Sequence, residues 1–126
     1  MQITHLDHVN VQTTRLAEMV AWYTDVLGFT AGARPDFPFP GAWLYADGTV
    51  MVHLIGISGP EAVGAEATLK LEHFAFKARG AAEFEARLTA ASQDYRRIEI
   101  AQVNTVAFNV WDPDGNHIHV DFAADE

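Results

Sequence analysis

The order strand–helix–strand–strand–strand occurs twice along this sequence, and the repeat restricts the chain to folds built from two similar half-domains. In the first copy, alternating β-branched residues predict a strand that leads into a helix. The helix is predicted to begin after an N-cap at Thr13 or Thr14 and to end at Gly28. The predicted strands of this copy cover residues 3–11, 29–31, 41–46 and 49–57.

The second copy follows a segment at 58–67 that is rich in Gly, Ala and Glu and is the predicted linker. Helical spacing of apolar residues predicts a helix over 81–91. The residues at 112–115, Asp-Pro-Asp-Gly, predict a turn with proline at its second position. The predicted strands cover residues 69–78, 95–101, 105–111 and 116–122. The two copies are therefore alike in the order of their elements.

Four of the six histidines occupy matching positions in the two copies. The spacing is 45 positions between His8 and His53 and 46 between His73 and His119. In each copy one histidine lies on the predicted first strand and the other on the predicted last strand. If those strands are neighbours, their imidazoles meet at the concave centre of a sheet. Since imidazole is the commonest side-chain metal ligand, we expect these four histidines to bind one divalent cation.

The repeat and the histidines together predict an α+β fold of two tandem βαβββ modules that form a half-open, barrel-like sheet around a metal. The modules cover about 1–57 and 68–123 of a single domain, 1–126. Neutral imidazoles leave the charge of the cation uncompensated, and they favour Zn, Ni, Co, Fe or Mn over Mg or Ca.

Other residues are candidates for catalysis and substrate binding. Asp121, two residues beyond His119, is a candidate base or orienting group, although an exposed acid at a strand end is the alternative. His117 shares that face and is a second catalytic candidate, with a solvated turn residue as the alternative. The candidate substrate-binding residues are Phe37, Phe39, Trp43, Tyr45 and Asn109. Core packing, or packing on a partner subunit, is the alternative for the aromatic ones.

Composition argues against several classes of function. A net charge of −9, with eight Lys and Arg and no basic run, disfavours nucleic acid and anionic membranes as partners. The lack of cysteine excludes disulfides and zinc–thiolate sites. No apolar run approaches the roughly 18 residues that span a bilayer, and the first residues do not resemble a signal peptide. We therefore expect a cytoplasmic protein that acts on a small molecule and binds neither nucleic acid nor membrane.

Two separated segments carry a resemblance to a known family. They are residues 22–29, Trp-Tyr-Thr-Asp-Val-Leu-Gly-Phe, and residues 112–116, Asp-Pro-Asp-Gly-Asn. With the repeated βαβββ order, they resemble the vicinal oxygen chelate superfamily, which includes glyoxalase I, extradiol dioxygenases and bleomycin resistance proteins. The resemblance implies metal ligands on the first and last strands of each module. At two of those positions, where relatives usually carry glutamate, this chain has His53 and His119.

The resemblance implies a metal-dependent enzyme that polarises vicinal oxygens for proton transfer, isomerisation or lyase chemistry. One alternative is an Fe(II)-dependent extradiol-type dioxygenase, and another is a non-catalytic ligand-binding protein like the bleomycin resistance proteins. Histidines in place of the usual glutamates weigh against lactoylglutathione lyase activity and weaken the dioxygenase alternative. By analogy with relatives, we expect a homodimer.

Overall fold

The computed structural model describes residues 1–2, 5–59, 71 and 73–126. The chain divides into two compact units, Met1–Ala62 and Val63–Glu126. Of the predicted linker at 58–67, residues 60–67 lie outside the described part. Within that part, no helix is long and apolar enough to cross a membrane.

The first unit has the predicted order of elements and one open, four-stranded sheet. Its elements are β1 (Val9–Thr13), α1 (Leu16–Asp25), β2 (Thr30–Gly32), β3 (Gly41–Ala46) and β4 (Thr49–Gly56). The strand order is β1-β4-β3-β2, with β1 parallel to β4 and the other pairs antiparallel. Asp47 and Gly48 both have positive φ in the turn between β3 and β4, which suits the Asp-Gly sequence of a tight hairpin.

The second unit repeats this topology. Its elements are β5 (Phe74–Lys77), α2 (Ala81–Ala90), β6 (Tyr95–Ile100), a 3₁₀ turn (Ala101–Val103), β7 (Thr105–Trp111) and β8 (His117–Ala123). The strand order is β5-β8-β7-β6, and β5 is parallel to β8. The prediction of an α+β fold with two βαβββ modules is thus confirmed, as two open mixed sheets with one helix each.

Each helix covers one face of its own sheet. Helix α1 buries Met19 and Tyr23 and contacts β3 and β4, whose inward residues Leu44, Val52 and Leu54 are buried. This packing removes the apolar stripe of the helix from water, which is the main source of stability for a short helix. The opposite face of the first sheet carries His53 together with Trp43 and Tyr45.

The second helix packs in the same way but through aromatic rings. Phe84 and Leu88 are the buried residues of α2. The ring of Phe84 lies 5.5 Å from that of Phe108 on β7 and 5.7 Å from that of Phe122 on β8. These residues alternate along their strands with those of the other face, so the face toward α2 is apolar. The face away from α2, the outer face, carries Asn109, His117, His119 and Asp121 together with Ala107 and Trp111.

The first strand of each unit begins later than predicted. Strand β1 starts at Val9 and β5 at Phe74, so His8 and His73 each lie one residue before a strand. Parts of both predicted strands, residues 3–4, 69–70 and 72, lie outside the described residues. The predicted N-cap is also wrong, because Thr13 still belongs to β1 and Arg15 occupies the cap position without a side-chain cap.

The turn between β7 and β8 is organised by a buried carboxylate. Asp112 is 4% exposed, and its Oδ1 accepts hydrogen bonds from the backbone N–H groups of Asp114 (3.0 Å) and Asn116 (2.9 Å). Its Oδ2 accepts a bond from Asn116 Nδ2 at 2.8 Å. Gly115 has a φ of 83°, which glycine adopts without strain. The turn sets where β8 begins and therefore which face its histidines occupy.

Candidate metal centre

The register of β8 brings three histidines to the outer face of the second sheet. His117 and His119 are two residues apart on β8, so they project to the same face. Strand β5 pairs in parallel with β8, with Ala75 opposite His119. His73 precedes Ala75 by two residues, and its side chain lies on this face as well.

The three imidazoles are close enough to share an ion. One ring nitrogen from each of His73, His117 and His119 lies within 4.8 Å of the other two. The rings of His73 and His119 are stacked with centroids 3.9 Å apart, and His119 meets His117 edge-on at 4.7 Å. Metal–imidazole bonds are about 2.0–2.1 Å long, so the three nitrogens would move closer together on sharing one ion. The set fits a divalent transition metal.

Hydrogen bonds assign the protonated nitrogen of His117, which is 4% exposed. Asn109 Oδ1 lies 2.9 Å from His117 Nε2 and accepts a bond from Arg96 Nη2 at 3.2 Å. Because guanidinium nitrogens only donate, the amide atom between them must be the oxygen. Asn109 Nδ2 in turn donates to the carbonyl of Arg96 at 3.2 Å. His117 Nε2 is therefore assigned as the donor, and in the neutral ring the lone pair is then on Nδ1.

Asp121 lies on the same face, two residues beyond His119 on β8. Its residue is partly exposed, but its Oδ1 atom is buried and accepts no hydrogen bond among the described residues. Burial of an unpartnered carboxylate oxygen is unfavourable, and such atoms commonly face an ion, a water or a reacting group. Asp121 therefore remains the candidate base that was predicted from the sequence.

The two predicted ligands of the first unit also meet. Strand β1 pairs with β4 so that Asn10 is opposite His53, which puts His8 beside His53 on one face. The rings of His8 and His53 are stacked with their centroids 3.9 Å apart. The ring of Trp43 on β3 is also stacked on that of His53, at 4.3 Å. His8 Nδ1 lies 2.5 Å from the carboxylate of Asp7. This pair of imidazoles has the same position in its module as His73 and His119.

His53 has a perturbed environment. Its Nε2 is buried and has no hydrogen-bond partner among the described residues. The pKa of His53 lies below its usual value, mainly because burial disfavours the charged imidazolium. Positive charge on the nearby His8 and Arg34 lowers this pKa further. A neutral imidazole with an unpartnered nitrogen is suited to metal binding.

The predicted substrate-binding residues fall into two groups. Phe37, Phe39 and Trp43 line a cavity of about 240 Å³ in the first unit. Tyr45 lies outside that lining, and its hydroxyl donates to the carbonyl of Ala33 at 2.6 Å. Asn109 is 1% exposed and is engaged by His117 and Arg96.

The structure brings two arginines into these sites, and sequence reasoning gave no site role to the first of them, Arg34. Arg34 lines the cavity, and the signal for it was an arginine just before the Phe-Pro-Phe-Pro segment at 37–40. Arg96 donates from Nη2 to Asn109 Oδ1 at 3.2 Å and so orients the amide that contacts His117. The structure thus groups His8 with His53 in the first unit, and His73 with His117 and His119 in the second. That His8, His53, His73 and His119 share one ion stays a prediction.

Comparison with known proteins identifies the family to which this chain belongs. Residues 5–120 match the family model of the Glyoxalase/Bleomycin resistance protein/Dioxygenase superfamily. A protein of Arabidopsis thaliana named Glyoxylase I 4 is 31% identical over 127 residues, covering 95% of this chain and 71% of that protein.

Solved structures agree in fold. A glyoxylase/bleomycin resistance protein/dioxygenase domain from Frankia sp. EAN1pec superposes with a TM-score of 0.80 at 18% identity, covering 97% of this chain and 99% of that one. A lactoylglutathione lyase from Agrobacterium tumefaciens superposes with a TM-score of 0.71 at 17% identity, covering 97% and 96%. The matched family model, the repeated βαβββ modules and the paired histidines agree, and the chain belongs to the glyoxalase/bleomycin resistance protein/dioxygenase superfamily.

Proposed function

We propose that this protein is a metal-dependent enzyme that polarises a small substrate with two adjacent oxygens, or one oxyanion, for proton transfer, isomerisation or lyase chemistry. The observation that carries the proposal is the set of three imidazole nitrogens within 4.8 Å of one another, from His73, His117 and His119. The name of the Arabidopsis relative, Glyoxylase I 4, supports the same class of chemistry.

In this proposal His117 is a ligand through Nδ1, a change from the catalytic role suggested by the sequence. His73 and His119 keep their predicted roles, and the participation of His8 and His53 stays a prediction. A divalent cation held by neutral imidazoles supplies a strong Lewis acid that stabilises negative charge on substrate oxygens. If only His73, His117 and His119 held it, the ion would keep a position for substrate or water, as catalytic sites do.

Asp121 is the proposed proton acceptor. Its Oδ1 lies buried on the histidine face without a hydrogen-bond partner among the described residues, so its lone pairs are available to take a proton from the substrate carbon. A general base acts through a lone pair that faces the reacting group in a site from which water is largely excluded. Asp121 therefore receives the proton in the forward direction and returns it to a neighbouring carbon in an isomerisation.

Asn109 is proposed as a positioning residue, in place of the substrate contact suggested by the sequence. Replacing Asn109 by Leu is expected to weaken Zn²⁺ binding by about 10- to 100-fold, the usual effect of losing a group that orients a ligand imidazole. The same change should remove the preference for the Nε2-protonated tautomer of His117. The measurement is ¹⁵N NMR of the imidazole nitrogens of the metal-free protein, with Zn²⁺ titration alongside.

Asn109→Asp is the matched control, because a carboxylate still accepts bonds from His117 Nε2 and Arg96. It should keep the tautomer preference. An unchanged tautomer in the leucine variant would contradict the orienting role of Asn109, whatever happens to the metal.

The function is tested by elemental analysis of untagged protein, followed by two assays on the metal-loaded form. One measures exchange of substrate protons with deuterated solvent, using small diketones and 2-hydroxy acids. The other measures oxygen uptake with catechols. We expect one bound divalent metal and proton exchange that Asp121→Asn reduces by about 100-fold or more.

The alternatives predict different results. Oxygen uptake without proton exchange would favour an Fe(II)-dependent dioxygenase. Ligand binding by protein that takes up no metal would favour a non-catalytic, bleomycin-resistance-like role and would contradict the proposal.

A further inference from the structure

The cavity of the first unit is lined by one cationic side chain and several aromatic rings. Its volume is about 240 Å³. Phe37 and Phe39 lie parallel with their ring centroids 5.2 Å apart, and Phe37 is 6.4 Å from the ring of Trp43. The aromatic lining of the cavity thus consists of the rings of Phe37 and Phe39 and of Trp43, which is stacked on His53.

Arg34 supplies the cation. Its guanidinium carbon lies 5.0 Å from the centroid of Phe37 and 5.1 Å from that of Phe39. Its Nη2 donates to the carbonyl of Phe39 at 3.0 Å. These contacts hold the side chain in place by cation–π attraction and one hydrogen bond.

The guanidinium of Arg34 can donate more hydrogen bonds than the one to the Phe39 carbonyl. A guanidinium has five N–H groups, and no ion pair joins Arg34 to a carboxylate in the part of the chain that is described. The partial burial of the side chain makes an anionic partner more favourable than it would be in water.

The backbone of β3 leaves room for this arginine. A Cβ atom on Gly41 would lie 2.9 Å from Arg34 Nη2 and 2.5 Å from the carbonyl oxygen of Leu54. The backbone oxygen of Leu54 cannot move aside as a flexible side chain can, so only glycine fits at this position. The absence of a side chain at Gly41 therefore leaves open the space that the Arg34 guanidinium occupies.

We propose that this cavity binds an aromatic carboxylate, whose carboxylate pairs with Arg34 and whose ring packs against Phe37, Phe39 and Trp43. A planar carboxylate matches the fork of a guanidinium, and flat rings suit the aromatic walls. The volume is below the roughly 300–1,000 Å³ of drug-sized sites, which limits the ligand to about one ring. Binding of this ligand in the first unit does not depend on the proposed function.

The experiment uses the full chain without metal, after treatment with a chelator. Benzoate, benzamide and cyclohexanecarboxylate are titrated by calorimetry and by NMR of the tryptophan indole signals. We expect benzoate to bind with a dissociation constant on the order of 0.1–1 mM. Benzamide, which lacks the charge, should bind at least about 10-fold more weakly. Cyclohexanecarboxylate, which lacks the flat ring, should bind several-fold more weakly.

Arg34→Gln should weaken benzoate binding by about 10-fold and remove the preference for benzoate over benzamide. Arg97→Gln is the matched control, since Arg97 lies on β6 of the other unit and pairs with Glu99 at 2.8 Å. Equal binding of benzoate and benzamide by the unaltered protein, or an unchanged affinity in Arg34→Gln, would overturn the proposal.

The same titration on His73→Ala separates this inference from the proposed function. Benzoate binding that persists in a variant without metal supports the cavity even if no enzymatic activity is found. Loss of benzoate binding in Arg34→Gln with metal uptake intact leaves the metal proposal standing. Absence of benzoate binding, with metal uptake and proton exchange present, overturns the cavity assignment alone.

Discussion

Replacement of His119 by Ala is expected to lower the affinity of the protein for Zn²⁺ by at least about 100-fold. Apparent free energies of zinc binding to small protein sites are about 10–16 kcal/mol. The loss of one of three or four ligands therefore costs on the order of 3 kcal/mol, and each 1.4 kcal/mol is a factor of about ten. Competition with a chromophoric chelator measures the change directly.

His5→Ala is the control, because His5 lies outside the group of His73, His117 and His119. It should bind Zn²⁺ with the affinity of the unaltered protein. Equal affinities in the His119→Ala and His5→Ala variants would rule out the assigned site. His8→Ala and His53→Ala, measured in the same series, test the remaining part of the four-histidine prediction.

Asp112→Ala is expected to lower the free energy of unfolding by about 2–4 kcal/mol. The change removes three hydrogen bonds to a carboxylate that is 4% exposed. It also leaves two backbone N–H groups of the turn without their acceptor, and each such loss costs about 1–3 kcal/mol when the group is buried. Urea unfolding of the metal-free protein measures the effect without a contribution from metal binding.

Two variants make this result specific. Asp112→Asn keeps an oxygen for the N–H groups of Asp114 and Asn116, so it should cost clearly less than Asp112→Ala. Asp94→Ala, at an exposed position, should be close to neutral. A loss in Asp112→Ala no larger than that in Asp94→Ala would show that the turn does not depend on this carboxylate.

The predicted elements agree closely with the structure wherever local patterns are strong. Strand β3, strand β7 and the start of α2 have the predicted bounds. The errors fall at the first strands, where Val9 and Phe74 begin pairing several residues later than the apolar pattern suggested. A strand begins where its partner can hydrogen-bond to it, and the partners of β1 and β5 lie more than 40 residues away in the chain.

The candidate site was predicted in part. The histidine spacing identified His73 and His119, which do lie together, and strand parity placed Asp121 on their face. The roles proposed for His117 and Asn109 were not predictable from the sequence, because they depend on which side-chain atoms meet across β7 and β8. Arg34 was missed for the same reason, since its position depends on the space above Gly41.

The sequence by itself determined the repeated module, the spacing of the histidines and the faces on which they lie, because these follow from periodicity along single strands. Only the tertiary structure decided which histidine joins His73 and His119, which tautomer His117 adopts and where a guanidinium meets aromatic rings. Those features depend on the lateral register of strands and on contacts between side chains distant in sequence, and no local pattern encodes either.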